Sequence, residues 1–309
     1  MAVTNRRKII RNNFFKYIWV FARAVILIGV CYIVIFPILS KIASSFMSRN
    51  DLWDTTVAWI PRNPTLRNYE LAWNYMKYPL AFWNSIKLAF LVSALQLVSS
   101  TLVAYGISRF KFKGANVLFT LAIITLIVPP ELFIIPLYLN FRYFDLLGAL
   151  PTSINLINSL WPLVIMAATA TGPRNGLFIY IMRQSFKGMP RDLEEAAYVD
   201  GASTFRTFIQ IMLPAAVPSM VIVFLFAFVW QWNDYYMTQM FLGNAVTLPM
   251  MLDKLPFSVL GDRWGSSMPE TSLLNNTGSL LVIAPVVILY ICLQRFFVES
   301  IQRTGITGQ

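Results

Sequence analysis

Glu195–Pro214 reads EAAYVDGASTFRTFIQIMLP, and the rest of the chain is placed by it. It is the longest polar, amphipathic passage in an otherwise apolar protein, and apolar segments flank it. Just upstream, Pro190 suits the first turn of a helix, and Asp192, Glu194 and Glu195 put negative charge at its positive end. Leu193, Ala196 and Ala197 fall at i, i+3, i+4, which gives one small apolar face. Gly201 ends that helix where the chain turns with positive φ. A second short helix follows, with Phe205, Phe208, Ile209 and Met212 at i, i+3, i+4, i+7, and Pro214 opens the next apolar run. Two short helices at a sharp turn predict either a docking knob outside the bilayer or a hairpin lying in its surface.

The chain has 309 residues, 57% of them hydrophobic and 13% charged, with a mean hydropathy of +0.60. Soluble domains carry about 25% charged residues, so this composition is that of a polytopic membrane protein. The net charge of +11 comes from basic residues bordering apolar runs. That distribution follows the positive-inside rule and argues against a nucleic-acid partner. There is no histidine, and Cys31 and Cys292 lie inside apolar runs as packing residues. No metal-ligand spacing occurs, and no phosphate-binding glycine loop of the G-x-x-x-x-G-K-[ST] kind, so the chain itself is not expected to hydrolyse ATP.

Six spans follow. Arg6, Arg7, Lys8, Arg11, Lys16 and Arg23 precede a run from Ala24 to about Met47, too long for a signal peptide and read as an uncleaved first span. Lys41 near its outer end can snorkel. Residues 48–80 read as an external segment. Span two runs from about Phe82 to Ile107, with an internal loop carrying Arg109, Lys111 and Lys113. Span three runs from Val117 to about Asn140, kinked at Pro129-Pro130. Residues 141–155 make an outer loop. Span four, Ile157–Phe186, is one long helix broken at Thr171–Gly176, because a lipid-exposed loop at that depth would leave backbone groups unpaired. Span five covers about Ala215–Met237, with Trp230, Trp232, Tyr235 and Tyr236 as an aromatic belt. A long outer loop, 238–276, leads to span six, Asn276–Phe297, and an internal tail. Segments read as internal hold 15 Lys and Arg, and those read as external hold seven. Both termini and the Glu195–Pro214 stretch therefore fall in the cytoplasm.

The spacing Glu195-Ala196-Ala197, Gly201, Ile211, Leu213-Pro214 matches the EAA motif of ATP-binding-cassette (ABC) importer permeases in full. Four further passages resemble carbohydrate importers of the maltose-transporter type, in particular the shorter, G-like subunit. They are Thr65-Leu66-Arg67-Asn68-Tyr69, Gln231-Trp232-Asn233-Asp234, Thr247-Leu248-Pro249 and Gln294-Arg295-Phe296-Phe297-Val298. The part Gly261–Glu270 looks like an insertion, and the Arg174-Asn175 pair in the span-four break departs from the family pattern. The resemblance implies an all-α polytopic bundle of six transmembrane helices with the MetI-like fold, one permease domain over residues 1–309. Within it, 1–23 is an N-tail, 78–297 the core bundle with the EAA loop at 190–214, and 298–309 a tail. It implies coupling helices between spans four and five, with Glu195, Ala196, Ala197, Asp200, Gly201, Ile211, Leu213 and Pro214 seated in a groove of a cytoplasmic ATPase. Glu195 would anchor the turn by a hydrogen bond or an ion pair. It also implies a second, different permease subunit, a dimeric ABC ATPase that binds ATP and magnesium, an extracytoplasmic sugar-binding protein and a carbohydrate substrate. The setting is a bacterial or archaeal cell membrane and its lipid, and the chain itself carries no cofactor, metal or catalytic residue.

Polar groups within the spans are the candidates for the substrate path. Glu131 lies about 14 residues, roughly 21 Å, from the internal start of span three, and Arg174 about 13 residues, roughly 20 Å, from the internal end of span four. Both are past the middle of a hydrocarbon core about 30 Å thick. A lone charge there costs at least about 2.5–3.5 kcal/mol unless it is paired or faces a wet cavity. Glu131, Arg174 and Asn175, with Asn233 and Asp234, are therefore expected to face the path, or Glu131 and Arg174 to hold each other. Two alternatives stand beside the sugar importer: an importer of the same fold for a peptide, polyamine or ion, and a membrane enzyme or channel. The second lacks a nucleophile–base pair or metal set to accompany its carboxylates.

Overall fold

A computed structural model describes the backbone of residues 2–57, 59–146, 148–263 and 267–306, and their side chains apart from those of 2–15, 131, 293 and 295–306. Its helices are α1 (Ala2–Ser45), α2 (Arg49–Trp53), α3 (Arg67–Tyr75), α4 (Tyr78–Arg109), α5 (Ala115–Ile127), α6 (Ile134–Arg142), α7 (Trp161–Ala168), α8 (Asn175–Gly188), α9 (Asp192–Val199), α10 (Thr204–Thr207), α11 (Leu213–Trp232), α12 (Tyr236–Leu242), α13 (Leu248–Leu260) and α14 (Met268–Ile306). Among the described residues the only strand-like pairing is one antiparallel bridge, Phe144 to Ile154, which pins the 141–155 loop. Lys16–Ser45, Tyr78–Arg109, Thr204–Trp232 and Met268–Cys292 are each long and apolar enough to cross a bilayer, and they correspond to spans one, two, five and six.

The segments expected as spans three and four are built from pieces, and none of these is by itself long and apolar enough to be counted with the four. Helix α5 stops at Ile127, and Val128 and Pro129 are extended before a 3-10 turn, Pro130–Leu132. Each of those two residues precedes a proline, which disfavours α geometry, and neither proline can donate a backbone hydrogen bond. The expected kink is thus a full interruption, with α6 resuming at Ile134. The single broken helix expected for span four is two helices, α7 and α8, parted by residues 169–174. There Ala170 takes φ 57° and the N–H groups of Thr171 and Gly172 both return to the Met166 carbonyl. That closure satisfies two of the N–H groups the break exposes.

The chain divides into two units, residues 1–75 with 255–281, and 76–254 with 282–309. In the first, Asn68 donates to the carbonyls of Ser45 and Met47, both at 2.9 Å, and Ser45 shares a 2.8 Å hydrogen bond with the Tyr69 hydroxyl. The Asn and Tyr of the T-L-x-N-Y passage thus tie down the end of α1. Lys41 donates to Asn276 at 2.8 Å instead of reaching for solvent alone. Residues 264–266 of the inserted stretch lie outside the described residues, as do the side chains of the last residues of the tail.

Asp51 is buried, and its carboxylate accepts from the backbone and side chain of Asn63, at 2.9 and 3.1 Å. Burial pushes this carboxyl upward, but the hydrogen bonds from Asn63 and Ser48 outweigh it, and it titrates below its ordinary range. A depressed carboxylate stabilises the fold above its unfolded-state pKa and loses that contribution as pH falls through the folded value. The 48–69 segment is therefore expected to resist pepsin near pH 5 and to open as the medium is acidified below about pH 4, the ordinary aspartate range. Asp54 is also held low, by hydrogen bonds from Thr56 and by Arg62, so Asp51→Asn should remove part of that pH dependence and Asp51→Asn with Asp54→Asn most of it; an unchanged cleavage profile in the double variant would refute the assignment.

In the second unit α4 is the central helix. Its buried Ser85, Ala89, Ser93, Ser100 and Ala104 let neighbouring backbones come close. One buried cluster, with Tyr105, Phe178, Met182, Phe186, Phe208, Met212 and Val223, joins α4, α8 and α11. A second, with Leu88, Val92, Phe141, Leu163, Met166 and Phe241, joins α4, α6, α7 and α12. The 238–276 stretch is therefore no simple outer loop, since it begins in a helix whose Phe241 is fully buried. Nor is Trp232 part of an exposed belt: it is 2% exposed and donates its indole N–H to the Val282 carbonyl at 3.0 Å.

Candidate functional site

The knob begins at α9. Helical spacing turns Glu194 and Ala197 inward and leaves Leu193, Glu195, Ala196 and Val199 outside. The small face expected on Leu193, Ala196 and Ala197 is thus divided, with only Ala197 packed. Glu194 makes the ion pair expected of Glu195. Its carboxylate lies 3.1 Å from the Arg109 guanidinium and accepts the Tyr105 hydroxyl at 3.0 Å. Glu195 is exposed, and among the described residues its carboxylate has no hydrogen-bond or ion-pair partner; its N–H closes onto the Arg191 carbonyl at 3.1 Å.

Helix α9 ends in a Schellman closure: Ala202 N–H reaches the Ala197 carbonyl at 2.9 Å, and Gly201 N–H reaches Tyr198 at 3.1 Å. Gly201 takes φ +79°, as expected, in open space. Asp200, the residue that ends α9, is exposed. Ser203 then caps α10. The second short helix does not stand apart. It passes through a π turn, Phe208–Met212, directly into α11, with Leu213 N–H bonded to the Phe208 carbonyl. The wider turn sits just ahead of Pro214, which has no N–H to continue an α ladder. Ile211 and Leu213 are half-buried at this junction. Leu193, Tyr198, Val199, Phe205 and Ile209 are left as an apolar surface; Val199 and Phe205 are 87% and 72% exposed.

A cavity of about 160 Å³ lies between α4, α7, the 169–174 break and the end of α11. Arg174 is on its wall, its guanidinium 4.9 Å above the centre of the Trp230 ring. Such a contact offsets part of the cost of a cation in an apolar setting. Asp234 is also on the wall, but its carboxylate caps α12, accepting from Thr238 N–H and hydroxyl, both at 2.8 Å. Asn233 is exposed and turns back to the Val229 carbonyl at 2.8 Å. Asn175, expected on the path, is fully buried. It accepts from Gln96 at 3.2 Å and donates to Ser100 at 3.1 Å, and so clasps α8 to α4. The Glu131 side chain lies outside the described residues. Sequence reasoning passed over Gln96 and Gln231 on the wall, and over Tyr105 and Arg109. The i, i+4 placement of that last pair at a helix end was the available signal.

Residues 74–304 match the family model described as the binding-protein-dependent transport system inner membrane component. The chain belongs to this family. It is a multi-pass membrane permease and a transport component, not an enzyme, and such a permease works with a second membrane subunit, an ATPase and a substrate-binding protein. The permease is 29% identical over 298 residues to the galactooligosaccharides transport system permease protein GanQ of Bacillus subtilis, covering 95% of this chain and 97% of that one. It is 30% identical over 282 residues to the osmoprotective compounds uptake permease protein GgtD of Synechocystis sp., covering 89% and 88%. Its fold matches a chain of a bacterial ABC transporter involved in the import of the acidic polysaccharide alginate, with a TM-score of 0.66 and 23% identity over 91% of this permease and 96% of that chain.

Proposed function

We propose that this permease forms half of the translocation pathway for a sugar or oligosaccharide, and that residues 190–214 dock in an ATPase that drives it. The carrying observation is the apolar surface of Leu193, Tyr198, Val199 and Phe205 on a base fixed by a buried ion pair. A surface this apolar, on an element this firmly held, suits a groove in a partner better than open water. Glu195, Ala196 and Asp200 lie exposed around it, while Ala197, Gly201, Ile211, Leu213 and Pro214 shape the turn and its entry into α11. The bias of Lys and Arg supports a knob and termini on the cytoplasmic side of a bacterial or archaeal cell membrane; in this reading the ATPase, and not this chain, binds ATP and magnesium. The whole chain then acts as one permease domain.

The sugar assignment draws on relatives named for galactooligosaccharides and arabinooligosaccharides. It also draws on Gln96, Gln231 and Tyr236 at a cavity beside the Trp230 ring, since amide and phenol groups suit a hydroxyl-rich ligand. Arg174 and Asp234 line the same space, Asn233 is the chain neighbour of Asp234, and Asn175 holds the break that shapes it. Glu131 joins them by its place in the chain.

The test is reconstitution with the partner permease, ATPase and binding protein in liposomes. ATP hydrolysis and uptake are measured with a panel of oligosaccharides beside peptides, polyamines and phosphate. Stimulation of both by one oligosaccharide class is expected. Stimulation by a non-sugar solute with none by any saccharide would replace the sugar reading.

A further inference from the structure

Among the described residues the knob has one ion pair, and it ties three helices together. Arg109 is the last residue of α4. Its guanidinium meets the Glu194 carboxylate on the first turn of α9 at 3.1 Å, and also donates to the carbonyl of Met189 at 2.9 Å and to that of Phe186. Those carbonyls lie at the end of α8, where the Met189 N–H returns to Phe186. Tyr105, one turn back along α4, donates its hydroxyl to the other Glu194 oxygen at 3.0 Å. The Arg109 and Glu194 side chains keep only 5% and 10% of their exposure. A buried pair is a poor way to gain stability, since apolar side chains of similar volume often serve as well. A guanidinium does supply a planar, fixed fork, which holds its partners in orientation as well as distance.

We propose that Arg109 is a positioning residue for transport, the link through which displacement of the knob moves α4 and α8 as one piece. This rests on the reading of the knob as the ATPase-docking surface. Both helices lead to the 160 Å³ cavity: Gln96 on α4 lines it, about 20 Å along the helix from Arg109 at about 1.5 Å per residue, and Arg174 lines it at the start of α8. A movement taken up at Arg109 therefore reaches both walls together. Without the link, displacement of α9 would no longer be passed to the walls that α4 and α8 supply.

The test uses the complete importer in nanodiscs and needs no knowledge of the substrate. Cys31 and Cys292 are replaced by serine, and Met166→Cys places a thiol on the cavity wall. The probe is a maleimide, and its labelling rate is compared with and without trapping by ATP and vanadate. The otherwise unmodified importer should show at least a fivefold change. The double variant Arg109→Met with Glu194→Met removes the link but leaves no buried charge unpaired. It is expected to assemble and hydrolyse ATP while the change falls below twofold. A merely structural role would leave the fivefold response intact in that stable double variant, and this result would overturn the proposal. Should the double variant fail to assemble, Arg109→Lys decides, because it keeps the charge opposite Glu194 but not the fork to the α8 carbonyls: a full response overturns the proposal and a reduced one supports it. If the unmodified importer retains no ATPase, the docking reading fails first, and the proposal with it.

Discussion

Joint replacement of Val199 and Phe205 by aspartate is expected to weaken ATPase binding by at least about 100-fold, with the chain still inserted and folded. In the free chain these side chains are 87% and 72% exposed, so the new charges stay in water and leave the unit beneath undisturbed. In a docked complex they would lie at the centre of the contact. Truncating such an anchor costs about 2–4 kcal/mol, and burying an unpaired carboxylate costs more. Titration of the ATPase onto the solubilised permease pair measures the effect directly. Undiminished binding would mean that the knob meets lipid or some other surface.

Gly176→Val is expected to produce the largest loss of stability. A β-carbon at Gly176 would stand 2.2 Å from the Ala122 backbone oxygen and 2.8 Å from the Thr125 hydroxyl. The first of these is main chain, so relief requires moving α5 itself. Overpacking of a closed contact costs about 1–3 kcal/mol and sometimes more. We expect a clear drop in the thermal midpoint of the detergent-solubilised protein and a low yield of assembled complex. Gly106→Ala, on a helix with open space around the added carbon, is the control and should leave the midpoint level or higher. Equal midpoints for the two variants would show that α5 and α8 do not meet as closely as described.

What the residues made legible was whatever is written locally. Four spans are long apolar runs, and length with hydropathy suffices to find them. Gly201 could be assigned positive φ because few other residues stand at the end of a helix in that conformation. Proline marked where span three breaks, but its extent depends on where α6 can pack again, on Phe141 and its neighbours. The choice between Glu194 and Glu195 could not be read locally. Both are acidic, both sit in the first turn, and the deciding contact is Arg109, far away in the chain. Asn175 misled for the same reason: a polar residue beside a break looks like a cavity lining until Gln96 and Ser100 are seen to occupy its amide.

The π turn at Phe208–Met212 has a mechanical consequence. Because it joins α10 to α11 without interruption, Thr204–Trp232 is a single strut from the knob to the cavity. The walls supplied by α4 and α8 are reached instead through the Arg109–Glu194 contact. On the docking reading, a push on the knob would reach Gln231 along one continuous helix and Arg174 through the ion-paired end of α8. Walls driven by separate routes, one along the main chain and one through side chains, would shear past each other more than they part. On that reading the space between them would change shape with each stroke, and a solute held there would be released by distortion of its seat more than by widening of a gate.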